Sequence, residues 1–157
     1  MIFNFYPNLC KDSAMKKSIT LLTSALLFTT LTAQAAEPLA LQQVMKDLGK
    51  NMQIVTDGIS REDWMLIAKA APMIAEHPQP PFAEKMRIMA FMGSDMPKFK
   101  ELDGKTHEAA VELEHAAHEK NGQKVTLAFQ KLQTTCLNCH QTFRAPFVTH
   151  FYGKPAN

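Results

Sequence analysis

The sequence is short of cysteine, of aromatic residues and of internal repetition. Of its 157 residues, three are cysteines and 8% are aromatic. Three cysteines are too few for a scaffold held together by disulfides. No repeat or low-complexity tract divides the chain, which has room for one domain but not for a Rossmann or TIM-barrel enzyme. The hydrophobic content of 46% is enough for a packed core.

Net charge of either sign is also nearly absent. The chain carries 17 basic and 15 acidic residues, and without the three lysines and one aspartate of residues 1–35 it keeps 14 of each. A neutral domain has no basic surface for nucleic acid or for an anionic membrane. We therefore expect no nucleic-acid partner.

The first 35 residues have the pattern of a secretory signal peptide. Lysines follow Met15, an apolar run extends over 19–31, and Ala33 and Ala35 supply the small residues before a cleavage site. The run is too short to span a bilayer comfortably, although an uncleaved anchor is the alternative. We expect translation to start at Met15, cleavage after Ala35, and a periplasmic domain over 36–157 that does not insert into the membrane.

The mature chain shows the three-four spacing of amphipathic helices and no convincing strand pattern. Residues 78–97 form a long connection that includes a short helix at about 82–91. Three short joins and one long crossover are typical of an all-α, antiparallel four-helix bundle. The four predicted helices cover about 39–56, 61–76, 97–120 and 123–143.

Turn residues and caps set the expected ends of these helices. Asp57-Gly58 is expected to end the first helix, and Ser60 to cap the second. Pro97 suits the first turn of the third helix, and Asn121-Gly122 is expected to end it.

One motif carries the chemistry. Cys136, Cys139 and His140 form C-x-x-C-H, the pattern of covalent c-type haem attachment. Cysteines three apart on a helix point the same way, so both sulfurs reach one porphyrin while the histidine ligates its iron. A thioredoxin-type redox pair is disfavoured because no βαβ pattern is present, and zinc would need two further ligands.

The motif lies on the last predicted helix, in CLNCHQTFR, and the first helix contains VMKDLGKNM. The chain thereby resembles the class II c-type cytochromes, meaning cytochrome c′ and its low-spin relatives. The resemblance covers the whole mature chain. It implies a four-helix bundle with one covalently attached haem c on the C-terminal helix, and it is compatible with a homodimer through helices one and two.

The resemblance also implies a distal residue on helix one, four positions before a glycine. Here that residue is Met45, before Gly49. In cytochrome c′ proper this position is usually non-ligating and the iron is five-coordinate, whereas in the low-spin relatives it is a Met that binds iron. Met45 as a core residue and Met52 as the ligand are the alternatives. Leu41 replaces the arginine that the family has one turn earlier.

The predicted function is that of a periplasmic monohaem carrier of single electrons between redox partner proteins, with His140 and Met45 on the iron. The alternative is a protein that binds NO or CO at a vacant distal site. We expect no enzymatic activity, because no distal His-Arg pair of a peroxidase can be placed on helix one.

Two further patterns are expected to be structural. Met86, Met89 and Met92 have a spacing that could bind Cu(I), but a hydrophobic patch is the simpler interpretation. Glu112 and His115 form one E-x-x-H, whereas a di-iron bundle needs two such motifs and two more glutamates.

Overall fold

The structure is a computed structural model that describes residues 38–153, so the predicted signal peptide lies outside the described residues. Within that range all regular structure is helical, as predicted, and a 3-10 turn at Gly93–Asp95 joins the third and fourth α-helices. In the part of the chain described, no helix is long and apolar enough to cross a membrane. The helices are α1 (Ala40–Arg61), α2 (Trp64–Ala75), α3 (Phe82–Met92), α4 (Met96–His118) and α5 (Gly122–Tyr152).

The four-helix bundle is formed by α1, α2, α4 and α5, and the short α3 lies in the crossover, as the sequence predicted. Helix α1 packs against α2, α2 against α4, and α4 against α5. Helices α1 and α5, in contrast, touch at only a few residues. The bundle is therefore closed on three sides and open along the side between its first and last helices.

A main core holds the bundle together. Small residues on α2 and α4, including Ala71 and Ala109, are fully buried and let these two helices approach closely. Each large aliphatic side chain buried beside them contributes about 1.5–3 kcal/mol. The largest fully buried side chains are Val55, Ile67, Ile74, Leu113, Val125 and Leu132.

A second core lies at the end of the bundle where α3 crosses over. Phe143 packs edge-to-face on Phe99, with ring centroids 5.5 Å apart. Ring centroids of Phe147 and Phe151 are 4.5 Å apart. This second core joins α3 to the start of α1 and the end of α5, and its buried residues are Leu39, Ile88, Met92, Phe143 and Phe151.

The expected turn after the first helix was wrong. Helix α1 continues through Asp57 and Gly58 to Arg61, and Glu62 ends it with a φ of 55°. Ser60 lies inside α1 and donates to the carbonyl of Thr56, so it caps nothing. Asp63 caps α2 instead by accepting a hydrogen bond of 3.0 Å from the Leu66 amide.

Gly58 is required by packing and not by a turn. A Cβ at this position would lie 2.6 Å from Cγ1 of Ile67 and 3.3 Å from the carbonyl oxygen of Asp63. The absence of a side chain therefore lets the end of α1 approach the start of α2.

We predict that Gly58→Ala lowers the free energy of unfolding by about 1–3 kcal/mol, the usual cost of overpacking a buried contact. Gly104→Ala is the control, because a Cβ there meets nothing within 4 Å. Alanine at that helical position should instead stabilise by roughly 0.5–1 kcal/mol. Urea unfolding of both haem-loaded variants measures the difference. Equal midpoints would contradict the packing role.

The start of the last helix also differs from the expectation. Asn121 does not end α4; it caps the start of α5, where its side-chain oxygen accepts a hydrogen bond from the Lys124 amide. The left-handed residue of the turn is Lys120, with a φ of 53°. Asparagine suits a helix N-cap and a left-handed turn alike, so local sequence left both roles open.

Helix α5 runs to Tyr152, well beyond the expected end near Phe143. Pro146 lies inside it and cannot donate a backbone hydrogen bond, a defect that costs about 3 kcal/mol in a helix interior. Phe147 and Phe151 continue the spacing of Phe143 and pack into the second core. Burial of these rings offsets the cost of the proline.

Candidate functional site

The C-x-x-C-H segment lies in the middle of α5, where the helix brings Cys136 and Cys139 to one face. Both thiols are free and half-buried. Cys136 packs against the main core and Cys139 against the second core. The two sulfurs therefore lie at the junction of the two cores.

Both thiols are protonated at neutral pH. Burial raises the pKa of Cys136. Burial raises the pKa of Cys139 to about 11, helped by the negative charges of Asp103 and Cys136. Neither thiol lies in the electropositive setting that activates catalytic cysteines, which argues against a dithiol redox pair.

His140 lies one turn after Cys136 on the same face of α5. Partial burial and the positive charge of Arg144 lower the pKa of its imidazole, so the neutral, metal-binding form predominates at pH 7. No hydrogen bond from a described residue contributes to that shift. A ring nitrogen of His140 is thus available as a ligand.

Helix α1 presents two adjacent apolar stripes. Val44, Val55 and Gly58 are buried. The second stripe, formed by Leu41, Met45, Leu48 and Met52, is only partly buried. Since α1 and α5 barely touch, this second stripe is not covered by α5.

Met45 differs from its neighbours along that stripe. Leu41 packs on the second core, whereas Leu48 and Met52 pack on the main core. Met45 belongs to neither and is 40% exposed. Its thioether is therefore not committed to core packing, unlike that of Met52.

The structure unites only part of the predicted site. Cys136, Cys139 and His140 share one segment of α5, as predicted. Met45 lies on α1, on the other helix that borders the open side of the bundle.

Sequence reasoning missed one residue that reaches this region from afar. Glu84 on α3 accepts hydrogen bonds from the backbone amides of Ala40 and Leu41, at 2.7 and 2.8 Å. More than forty residues separate the partners, so no local pattern could have signalled the contact. The regular spacing of Phe143, Phe147 and Phe151 could have predicted the longer α5.

The structure also locates the residues of the two patterns that were expected to be structural, the three spaced methionines and the single E-x-x-H. Met92 is buried in the second core while Met86 and Met89 are exposed, so the three thioethers do not gather around one ion. Glu112 forms an ion pair with Lys131. Among the described residues no group of three or more His, Cys, Asp or Glu could hold a metal ion.

These features fit a covalently bound haem. Two unpaired thiols on one helix face, a neutral imidazole one turn away, and an uncovered apolar stripe on the neighbouring helix match its needs.

Comparison with known proteins decides the family. A family model described as Cytochrome C′ matches residues 39–144, about two thirds of the chain. The chain belongs to the cytochrome c′ family. It is also similar to cytochrome c′ of Rhodospirillum rubrum, with 29% identity over 146 residues that cover 83% of this chain and 99% of the relative.

Cytochrome c′ proteins bind one covalently attached haem c. The protein is therefore a monohaem c-type cytochrome, in agreement with the prediction from the C-x-x-C-H motif and the helical pattern. The matched region contains the whole second stripe of α1 and the motif on α5, but not residues 145–152 at the end of α5.

Proposed function

We propose that this cytochrome carries single electrons and that its haem is low-spin, with a protein ligand on each side of the iron. Cys136 and Cys139 hold the haem through thioether bonds. His140 binds the iron from the α5 side, and Met45 binds it from the α1 side. The iron supplies the one-electron redox chemistry, and no catalytic turnover is assigned to the protein.

The exposure of Met45 carries this proposal. Met45 is 40% exposed and lies on α1 between Leu41, which packs on the second core, and Leu48, which packs on the main core. Its helix borders the open side of the bundle, opposite the helix that bears His140. The thioether of Met45 packs in neither core and can therefore bind iron, whereas Met52 packs against the main core.

His/Met ligation suits electron transfer. The soft thioether sulfur of Met45 favours ferrous iron and so raises the reduction potential. The main core, with fully buried side chains from all four bundle helices, keeps α1 and α5 in place when the charge of the iron changes. These chain properties set potential and access for exchange with redox partner proteins.

The second candidate function is the binding of NO or CO. It is favoured by family membership, because cytochrome c′ members are typically high-spin with a vacant distal site. The exposure of Met45 is compatible with it as well, since a loosely packed side chain can move aside. The two functions differ in one property, the sixth ligand of the iron.

We predict that the wild type is low-spin when ferrous and takes up CO slowly, because CO must displace Met45. Met45→Leu keeps a similar volume, at a packing cost usually under ~1.5 kcal/mol, but cannot ligate iron. It should become high-spin, bind CO faster and have a lower potential. Ferrous absorption spectra with and without CO measure this.

Met52→Leu is the matched control, two turns along the same stripe, and should leave the spectra unchanged. A wild type that is already high-spin and quick to bind CO would overturn the electron-carrier proposal and favour gas binding. A sixth ligand lost only in Met52→Leu would keep the function and move the ligand.

We place the protein in the periplasm, as a domain that begins after Ala35. This is supported by the signal-peptide pattern and by the fact that c-type haem is attached outside the cytoplasm.

A homodimer through α1 and α2 is part of the proposal. The exposed apolar side chains of Ile54, Met65 and Met73 on these helices offer a surface for it.

A further inference from the structure

The start of α1 is held by contacts that the haem motif does not explain. The first amides of a helix have no partner within the helix, and those of Ala40 and Leu41 are both satisfied by the Glu84 carboxylate of α3. The cap residue Leu39 has no side-chain hydrogen-bonding group of its own. Both bonds are short, at 2.7 and 2.8 Å, as expected for a charged acceptor.

The end of α5 reaches the same place. Leu39 and Phe151 are buried together in the second core, and Tyr152 packs against it. Burial raises the pKa of the Tyr152 phenol, so its hydroxyl is neutral at pH 7. Three separate elements, α1, α3 and α5, therefore meet at Leu39–Leu41.

We call this junction the clasp. It consists of Leu39–Leu41, Glu84 and Phe151–Tyr152. It joins α1 to α5, and these two bundle helices otherwise touch at only a few of the described residues. Met45 follows the clasp by about one helical turn on α1.

We propose that Glu84 is a positioning residue that fixes the start of α1 and thereby the placement of Met45. This rests on the proposed function, in which Met45 binds iron. A helix start freed from Glu84 has two unsatisfied amides and frays, and fraying from Leu39 extends toward Met45. Residues 145–152 lie beyond the region that the family model matches, so family membership assigns this end of α5 no role.

The test uses the haem-loaded protein and Glu84→Gln, which keeps the shape of the side chain but removes its charge. We expect faster amide hydrogen exchange from Leu41 to Met45. CO uptake by the ferrous protein should rise on the order of tenfold, as expected for the loss of one charge-assisted hydrogen bond.

Glu101→Gln is the matched control. Glu101 is an exposed carboxylate on α4 that pairs with Lys105 on the same helix. It should change neither exchange nor CO uptake. In a Met45→Leu background, Glu84→Gln should no longer accelerate CO binding, because the ligand that the clasp positions is gone.

The outcomes separate the clasp from the proposed function. If the wild type is low-spin and Glu84→Gln takes up CO at the same rate, the positioning role is overturned and the proposed function is not. Unchanged amide exchange in Glu84→Gln would do the same, by showing that the clasp does not hold α1. A wild type that already binds CO at the rate of Met45→Leu would overturn the proposed function, and the positioning role with it.

Discussion

Replacing both Cys136 and Cys139 by alanine is expected to give a protein from which acid-acetone extracts all of the haem. The two thiols are the only cysteines in the described residues and lie free on one face of α5. With no sulfur to form thioether bonds, any haem that remains is held by ligation and packing alone. Haem that stays with the wild-type polypeptide after extraction and leaves the double variant measures this directly.

The third cysteine supplies the control. Cys10 precedes the predicted cleavage site, so Cys10→Ala should leave the haem fully covalent. Haem that leaves the wild type as easily as the double variant would contradict the assignment of these residues.

The haem-free mature chain is expected to be a molten globule. Loss of the haem removes more contact than truncation of a large aromatic side chain, which alone costs about 3–5 kcal/mol. That is a large part of the total stability of a domain, about 5–15 kcal/mol. The main core, in which Ile67 and Leu113 of two bundle helices are fully buried, should preserve much of the helix content.

Circular dichroism and NMR of the apo chain test this expectation. The far-UV signal should be largely kept while the near-UV signal from Trp64 and the phenylalanines collapses. Sharp, dispersed amide signals from α1 and from the middle of α5 would show that the apo chain is already ordered, and would contradict the prediction.

Most of the fold follows from periodic burial. The three-four spacing of apolar residues predicted the bundle helices, because regular spacing on a long helix leaves little choice of the face that is buried. The ends of the helices were predicted less accurately than the helices themselves. Gly58 and Asn121 are ambiguous in isolation, and only the neighbouring helix decides whether a glycine marks a turn or a close contact.

Pro146 and Glu84 show a second reason for failure. A proline predicts the end of a helix from local geometry, but tertiary packing of Phe147 and Phe151 overrides that preference in α5. The hydrogen bonds between Glu84 and the start of α1 connect distant segments, and no local sequence pattern at either segment predicts them.

The site was predicted unevenly for the same reason. Cys136, Cys139 and His140 are neighbours in sequence, so the motif defines them by itself. Met45 must be joined to them across the bundle, and spacing alone could not separate a ligand from a core residue. In the structure Met45 is left out of both cores while Met52 packs against the main core, a difference that the spacing could not show.

The most direct test of the central claim is an NMR spectrum of the ferrous protein labelled at the methionine methyl carbons. A methionine bound to low-spin ferrous iron lies over the haem, and the ring current moves its methyl signal far upfield of the others. We predict one such signal in the wild type, absent in Met45→Leu and present in Met52→Leu. A spectrum with no upfield-shifted methionine methyl, or one that loses it only in Met52→Leu, would contradict ligation by Met45.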